Sequence, residues 1–196
     1  IYIAFISLGL PDSLLGAAWP AIYKELDVPI SFAGIISMII AGGTIISSLL
    51  SDRITKKLGT GVVTVISVAM TAIALFGFSI SQNFIFLCLW AIPYGLGAGA
   101  IDAALNNYLA LHYSSKHMNW LHCFWGVGAA ISPYIMGYYL TSGAGWNQGY
   151  RAVFYIQALL TIVLIISLPL WKKPKLSVRS KKAHSLKEVL QTKNIK

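Results

Sequence analysis

The chain has 196 residues, 57% hydrophobic and 11% charged, with a mean hydropathy of +0.70. That composition excludes a disordered chain and argues against a water-soluble domain. The net charge of +9 would suggest nucleic acid on a soluble protein, but the distribution described below excludes that reading.

Six apolar segments follow one another near 1–23, 31–51, 60–81, 84–112, 119–141 and 150–171. Each approaches the roughly 20 apolar residues that cross a bilayer as a helix. The two-residue alternation of a membrane β-strand is absent, so the chain reads as an all-α membrane protein with six transmembrane helices over 1–171. The first segment lacks a basic leader and a cleavage site and carries Asp12, so it reads as a membrane helix rather than a signal peptide. The missing initiator Met predicts further chain upstream. Segment four is long enough to tilt or to extend past the hydrocarbon. Its Gly95, Gly97 and Gly99 permit close helix contact. Pro11, Pro20, Pro93 and Pro133 are expected to kink their helices. Cys88 and Cys123 have no metal or CxxC spacing and read as small buried hydrophobes.

The non-cytoplasmic connections, 24–30, 81–83 and 142–149, are short and imply antiparallel neighbours. Residues 172–196 read as a basic cytoplasmic linker. Within it, Ser185 and Glu188 have capping-box spacing, and Leu186, Val189 and Leu190 could form the apolar side of a surface helix on anionic lipid. A disordered basic tail is the alternative. Of the 15 Lys and Arg residues, only Lys24 and Arg151 fall on one side of this topology. The others cluster in the 52–59 and 112–118 loops and the tail, which the positive-inside rule places in the cytoplasm with the N-terminus. The expected location is a bacterial inner or plasma membrane.

Asp12 and Asp102 are the informative residues, because a carboxylate at the bilayer centre costs at least ~2.5–3.5 kcal/mol and usually serves function. They lie ninety positions apart, and the same offset pairs Gly9 with Gly99, Leu15 with Leu105 and Tyr23 with Tyr113. The offset relates segment one to segment four, which run in opposite directions. The chain therefore reads as a 3+3 inverted repeat, with both carboxylates near the midplane. Asp102 and Asn106, four residues apart, share a helix face that Asn107 borders. Trp19 falls on the side of Asp12, and Tyr94 and Trp125 are further aromatic candidates. A carboxylate or amide for hydroxyls and an aromatic plane for a ring face are what a sugar needs; interface anchoring or packing is the alternative for the aromatics. Desolvation favours the neutral form of an unpaired buried carboxylate, which offers a route to proton coupling; sodium coordination is the competing use. His122 reads as a pore-lining or packing residue, because its spacing from His112 and His117 suits no metal site. Gln157 is a lone membrane amide that either lines the cavity or bonds a neighbouring helix. No cofactor, metal or enzyme motif is evident.

The stretch from Ser48 through Asp52, Arg53, Lys56 and Lys57 resembles the cytoplasmic signature of the major facilitator superfamily, with Ser48 and Thr55 in place of glycines. In that family the motif latches the two halves, its aspartate facing a helix N-terminus of the other half. Six helices, a basic linker and the inverted repeat look like the N-terminal half of such a transporter, with a C-terminal six-helix half as partner. The subgroup looks like the one containing the L-fucose/proton symporter and glucose transporters. Asp12 falls at its first-helix aspartate, and Asp102 with Asn106 matches its fourth-helix acidic residue and asparagine. Asn119, Phe124 and Gly128 resemble its fifth-helix pattern, with His122 and Trp125 replacing a glutamine and an asparagine. Ala91 stands where the superfamily has a fourth-helix arginine, and Gly137 follows Pro133 by four residues rather than the three of the antiporter signature. The resemblance implies secondary active transport of a sugar or similar polar solute by proton symport, with Asp12 for the proton and Asp102 with Asn106 for the linked solute site. The alternatives are a sodium-coupled symporter or an antiporter of another solute, and more remotely a channel, a scaffold or an intramembrane enzyme.

Overall fold

The computed structural model describes residues 2–171, and among these every regular element is helical. The linker and its capping box lie outside the described residues. The helices are α1 (Tyr2–Asp12), α2 (Leu14–Glu25), α3 (Phe32–Leu58), α4 (Thr60–Ile80), α5 (Phe84–His112), α6 (Ser115–Thr141) and α7 (Trp146–Ser167), with a 3₁₀ turn at Leu168–Leu170. α1 and α2 form one span, Tyr2–Glu25, interrupted at Ser13. Pro11 removes a backbone donor just before the interruption. The Ser13 hydroxyl donates to the Ala129 carbonyl of α6 at 2.6 Å, which fixes the break against its neighbour.

Five spans are long and apolar enough to cross a membrane: Tyr2–Glu25, Phe32–Leu58, Thr60–Ile80, Phe84–His112 and Trp146–Leu170. α6 has the length, at 27 residues, but its first turns carry Lys116, His117, Asn119 and His122. It packs against α1, α2 and α7 as the sixth member of the bundle.

Helix ends depart from the apolar segments in a consistent way. The 52–59 stretch, expected as a loop, is the last two turns of α3, and Gly59 alone joins α3 to α4. Hydropathy marks where hydrocarbon contact ends, whereas the backbone stays helical while its hydrogen bonds are made. Lys56 bonds Asp52 at 2.6 Å one turn away, and Gly59, at φ 84°, closes the helix by donating to the Thr55 carbonyl at 2.8 Å. α6 and α7 likewise start at Ser115 and Trp146, earlier than the apolar runs at 119 and 150.

The inverted repeat is visible in the packing. α1 packs on α6 as α5 packs on α3, and α4 packs on α7 between the two groups. A Cβ at Gly9 would strike the Trp125 carbonyl of α6, and one at Gly99 would strike the Thr44 carbonyl of α3. In return, Gly128 of α6 abuts the Ile6 carbonyl and Gly43 of α3 abuts Gly95 and Leu96. Gly9 and Gly99 are the offset pair from sequence. Gly43 and Gly128 are the small residues that the facing helices α3 and α6 contribute to these contacts. Lipid gives helices no hydrophobic reason to associate, so such small-residue contacts are what allow close packing. Thr44, Ser48 and Ser51 of α3 reinforce one side by donating to the Gly95, Gly99 and Ala100 carbonyls at 3.2, 3.1 and 3.3 Å.

Candidate functional site

Asp12 ends α1 at the break, where a short side chain can turn from its own helix to its neighbours. The Tyr94 hydroxyl of α5 donates to its Oδ1 at 2.8 Å, and the Trp125 indole N–H of α6 donates to its Oδ2 at 2.8 Å. One carboxylate thus joins three helices, and no Lys or Arg among the described residues pairs with it. Both aromatics, expected as ring platforms, here present their polar atoms to Asp12. Tyr94 is buried, whereas Trp125 is 39% exposed.

Asp12 faces a cavity of about 460 Å³ bounded by α2, α3, α4, α5 and α7. Trp19 forms part of its wall, and its indole N–H is taken by the Ile30 carbonyl at 2.7 Å. Tyr150 and Ser37, which sequence reasoning missed, also line it. Tyr150 stacks on Phe78 with ring centroids 5.3 Å apart and is buried. Its position at the edge of an apolar run gave no signal that it turned inward. Most of the wall is apolar, with the Asp12 carboxylate as its one charged group.

Asp102 lies on α5 eight residues beyond Tyr94, or about 12 Å along the axis. It does not line this cavity. The two carboxylates therefore do not share this cavity. Asn106 donates through Nδ2 to Asp102 Oδ1 at 3.0 Å, as the spacing predicted, and its buried Oδ1 has no hydrogen-bond partner among the described residues. His122 comes from α6 into electrostatic range of Asp102 and meets the Phe5 ring edge-on at 6.0 Å. Asn107 is exposed beside this pair.

Gln157 stands apart from both carboxylates. It is fully buried, its Oε1 accepts from the Ser7 hydroxyl at 2.6 Å, and its Nε2 donates to the Ser7 carbonyl at 2.7 Å. Both ends of the amide are used between α7 and α1, which is the helix-bonding alternative. Cys88 is half-buried, and Cys123 is exposed rather than buried. On a bilayer-spanning helix an exposed position can still be apolar, because the surroundings are lipid. At the opposite end from the α4–α5 turn, Asp52, Arg53, Lys56 and Lys57 occupy the last turns of α3, and the Asp52–Lys56 pair is exposed.

The sequence profile of the Major Facilitator Superfamily matches residues 1–195. The chain belongs to that family. It is therefore an integral membrane protein, in agreement with its apolar helices. It is also similar to synaptic vesicle glycoprotein 2A of Rattus norvegicus and of Homo sapiens, at 20% identity over 171 residues in each case. Those alignments cover 85% of this chain and 23% of each relative, so the chain spans about a quarter of the proteins it matches.

Proposed function

We propose that this six-helix unit is one half of a secondary active transporter for a small polar, hydroxylated solute, coupled to protons through Asp12. The observation that carries the reading is the Asp12 carboxylate, without a cationic partner among the described residues, facing an intramembrane cavity and held by donors from two other helices. Hydrogen bonds to an ionised group are roughly twice as strong as neutral ones. Protonating Asp12 therefore weakens the tie that joins α1, α5 and α6, and links proton binding to helix position. Asp102, Asn106 and Asn107 offer acceptors and donors to solute hydroxyls further along α5, with His122 near Asp102 and the partly exposed Trp125 at Asp12. Alternating access needs a second half rocking against this one, with Asp52, Arg53, Lys56 and Lys57 latching the two in the cytoplasm. The excess of basic residues at that end supports the orientation. The similarity of Asp12, Asp102 and Asn106 to the fucose/glucose subgroup supports a sugar as solute. Transport of this kind makes and breaks no covalent bond, so no enzymatic step is assigned.

Sodium is the second reading for the coupling ion, favoured by the Asn106 Oδ1 next to Asp102, which has no hydrogen-bond partner among the described residues. The test is uptake of labelled hexoses by the complete protein in liposomes, under a pH gradient or a sodium gradient. A proton-coupled transporter concentrates solute under the pH gradient, and its Asp12→Asn variant exchanges solute without concentrating it. Retention of wild-type coupling by Asp12→Asn would overturn the assignment.

A further inference from the structure

A second cleft, of about 440 Å³, opens where Glu25 ends α2, Ser81 and Gln82 follow α4, and Asn147 and Arg151 begin α7. These are ends of three membrane spans, so the cleft lies at headgroup depth rather than in hydrocarbon. It holds one cation and one anion that do not pair with each other, since Asp52–Lys56 is the only ion pair among the described residues. Glu25 is held in place by the Trp146 indole N–H, which donates to its Oε2 at 2.7 Å, leaving Oε1 free to accept. Asn147 is held by the Ser79 carbonyl at 3.2 Å. The Arg151 Nε is buried without a hydrogen-bond partner among the described residues. The first turn of α7 also opens here, with Gly145 at its cap and no side chain satisfying its N–H groups.

Together these groups suit a ligand that carries both charges. A guanidinium binds phosphate through paired N–H donors, and a helix N-terminus adds to that preference. A carboxylate a short distance away suits an ammonium group. A simple anion would leave Glu25 as a repulsive neighbour, and a simple cation would leave Arg151 unmatched. We propose that this cleft binds a phosphate–ammonium zwitterion of the phosphoethanolamine type, with the phosphate on Arg151 and the α7 N-terminus and the ammonium on Glu25. A lipid headgroup and a soluble phosphoethanolamine share this chemistry. The inference needs the bundle to be in a membrane but does not depend on the transported solute.

The complete protein in nanodiscs of mixed phosphoethanolamine, phosphocholine and phosphoglycerol lipids, with retained lipids identified by native mass spectrometry, tests it. The wild type is expected to retain phosphoethanolamine lipid roughly tenfold over the others, on the scale of one hydrogen bond to a charged group. Arg151→Gln should abolish retention. Glu25→Gln should remove the preference for phosphoethanolamine over phosphoglycerol lipid. Lys24→Gln, an exposed charge that does not line the cleft, should change neither. Soluble phosphoethanolamine and inorganic phosphate, added separately, distinguish the sources. Displacement of lipid by phosphoethanolamine alone identifies a site open to the free zwitterion, and resistance to both identifies a lipid site. Equal effect of inorganic phosphate, or equal retention by wild type and Glu25→Gln, overturns the proposal. Because Glu25→Gln is read as a change of preference, it stays decisive if Arg151→Gln fails to fold.

Discussion

The Tyr94 hydroxyl reaches Asp12 from α5, 82 positions away in sequence, and closes on Oδ1 at 2.8 Å. Trp125 mirrors it on Oδ2 from α6. Ninety positions before Tyr94 the chain has Ala4, whose side chain cannot donate. Asp102 takes its hydrogen bond from Asn106, whose repeat partner is Gly16. The backbone repeat is symmetric and the polar chemistry is not, which lets two equivalent carboxylates do different work.

Tyr94→Phe removes one of the two donors to Asp12. It should destabilise the protein by about 1–3 kcal/mol, the cost of losing a hydrogen bond to a charged group. Thermal unfolding in detergent measures that cost. Because the neutral acid loses less than the carboxylate does, the variant should also move the pH dependence of solute uptake. An unchanged profile would show that the hydroxyl is not part of coupling.

Gly9→Ala and Gly99→Ala should each cost about 1–3 kcal/mol, since the new Cβ meets a backbone carbonyl of the facing helix and the helices must separate. Gly16→Ala, with nothing within 4 Å of its Cβ, should be neutral or slightly stabilising. Similar losses at Gly9 and Gly99 are what equivalent contacts require, and a large loss at one alone would break the symmetry argument.

Gln157→Leu should lower stability by about 1–3 kcal/mol, because two interhelix hydrogen bonds are lost at about 0.6–1.7 kcal/mol each. Solute affinity should not move, since both amide atoms bond Ser7 away from the cavity. Paired measurements of Tm and of the transport KM separate these effects. A raised KM at unchanged Tm would return Gln157 to the solute site.

Asp52→Asn should hardly change stability, because an exposed pair one helical turn apart contributes about 0.3–0.5 kcal/mol. Its effect should appear in the rate of uptake by the complete protein, where the proposed latch to the second half acts. Slowed uptake with an unchanged Tm is the expected result, and unchanged uptake would count against the latch.

Segments rich in apolar residues announced their helices, and the α5 boundaries match those expected from sequence, because membrane length and hydropathy act locally. The ninety-residue offset also exposed the repeat, since Gly9 and Gly99 meet the same packing demand on two helices. The polar extension of α3 through Asp52 and Lys56 was not legible from hydropathy, because its cause is backbone bonding and a one-turn ion pair. Nor was the role of Gln157, which depends on Ser7 lying opposite it from a helix at the other end of the chain.

By itself, the sequence determined that two carboxylates are placed within membrane helices, where the cost of a buried charge marks them for function. Only the tertiary structure decided that Asp12 is gripped by Tyr94 and Trp125 while Asp102 keeps to Asn106. The physical reason is range. The cost of placing charge in lipid is set by the residue and its own segment, whereas a hydrogen bond at 2.8 Å depends on how three helices pack.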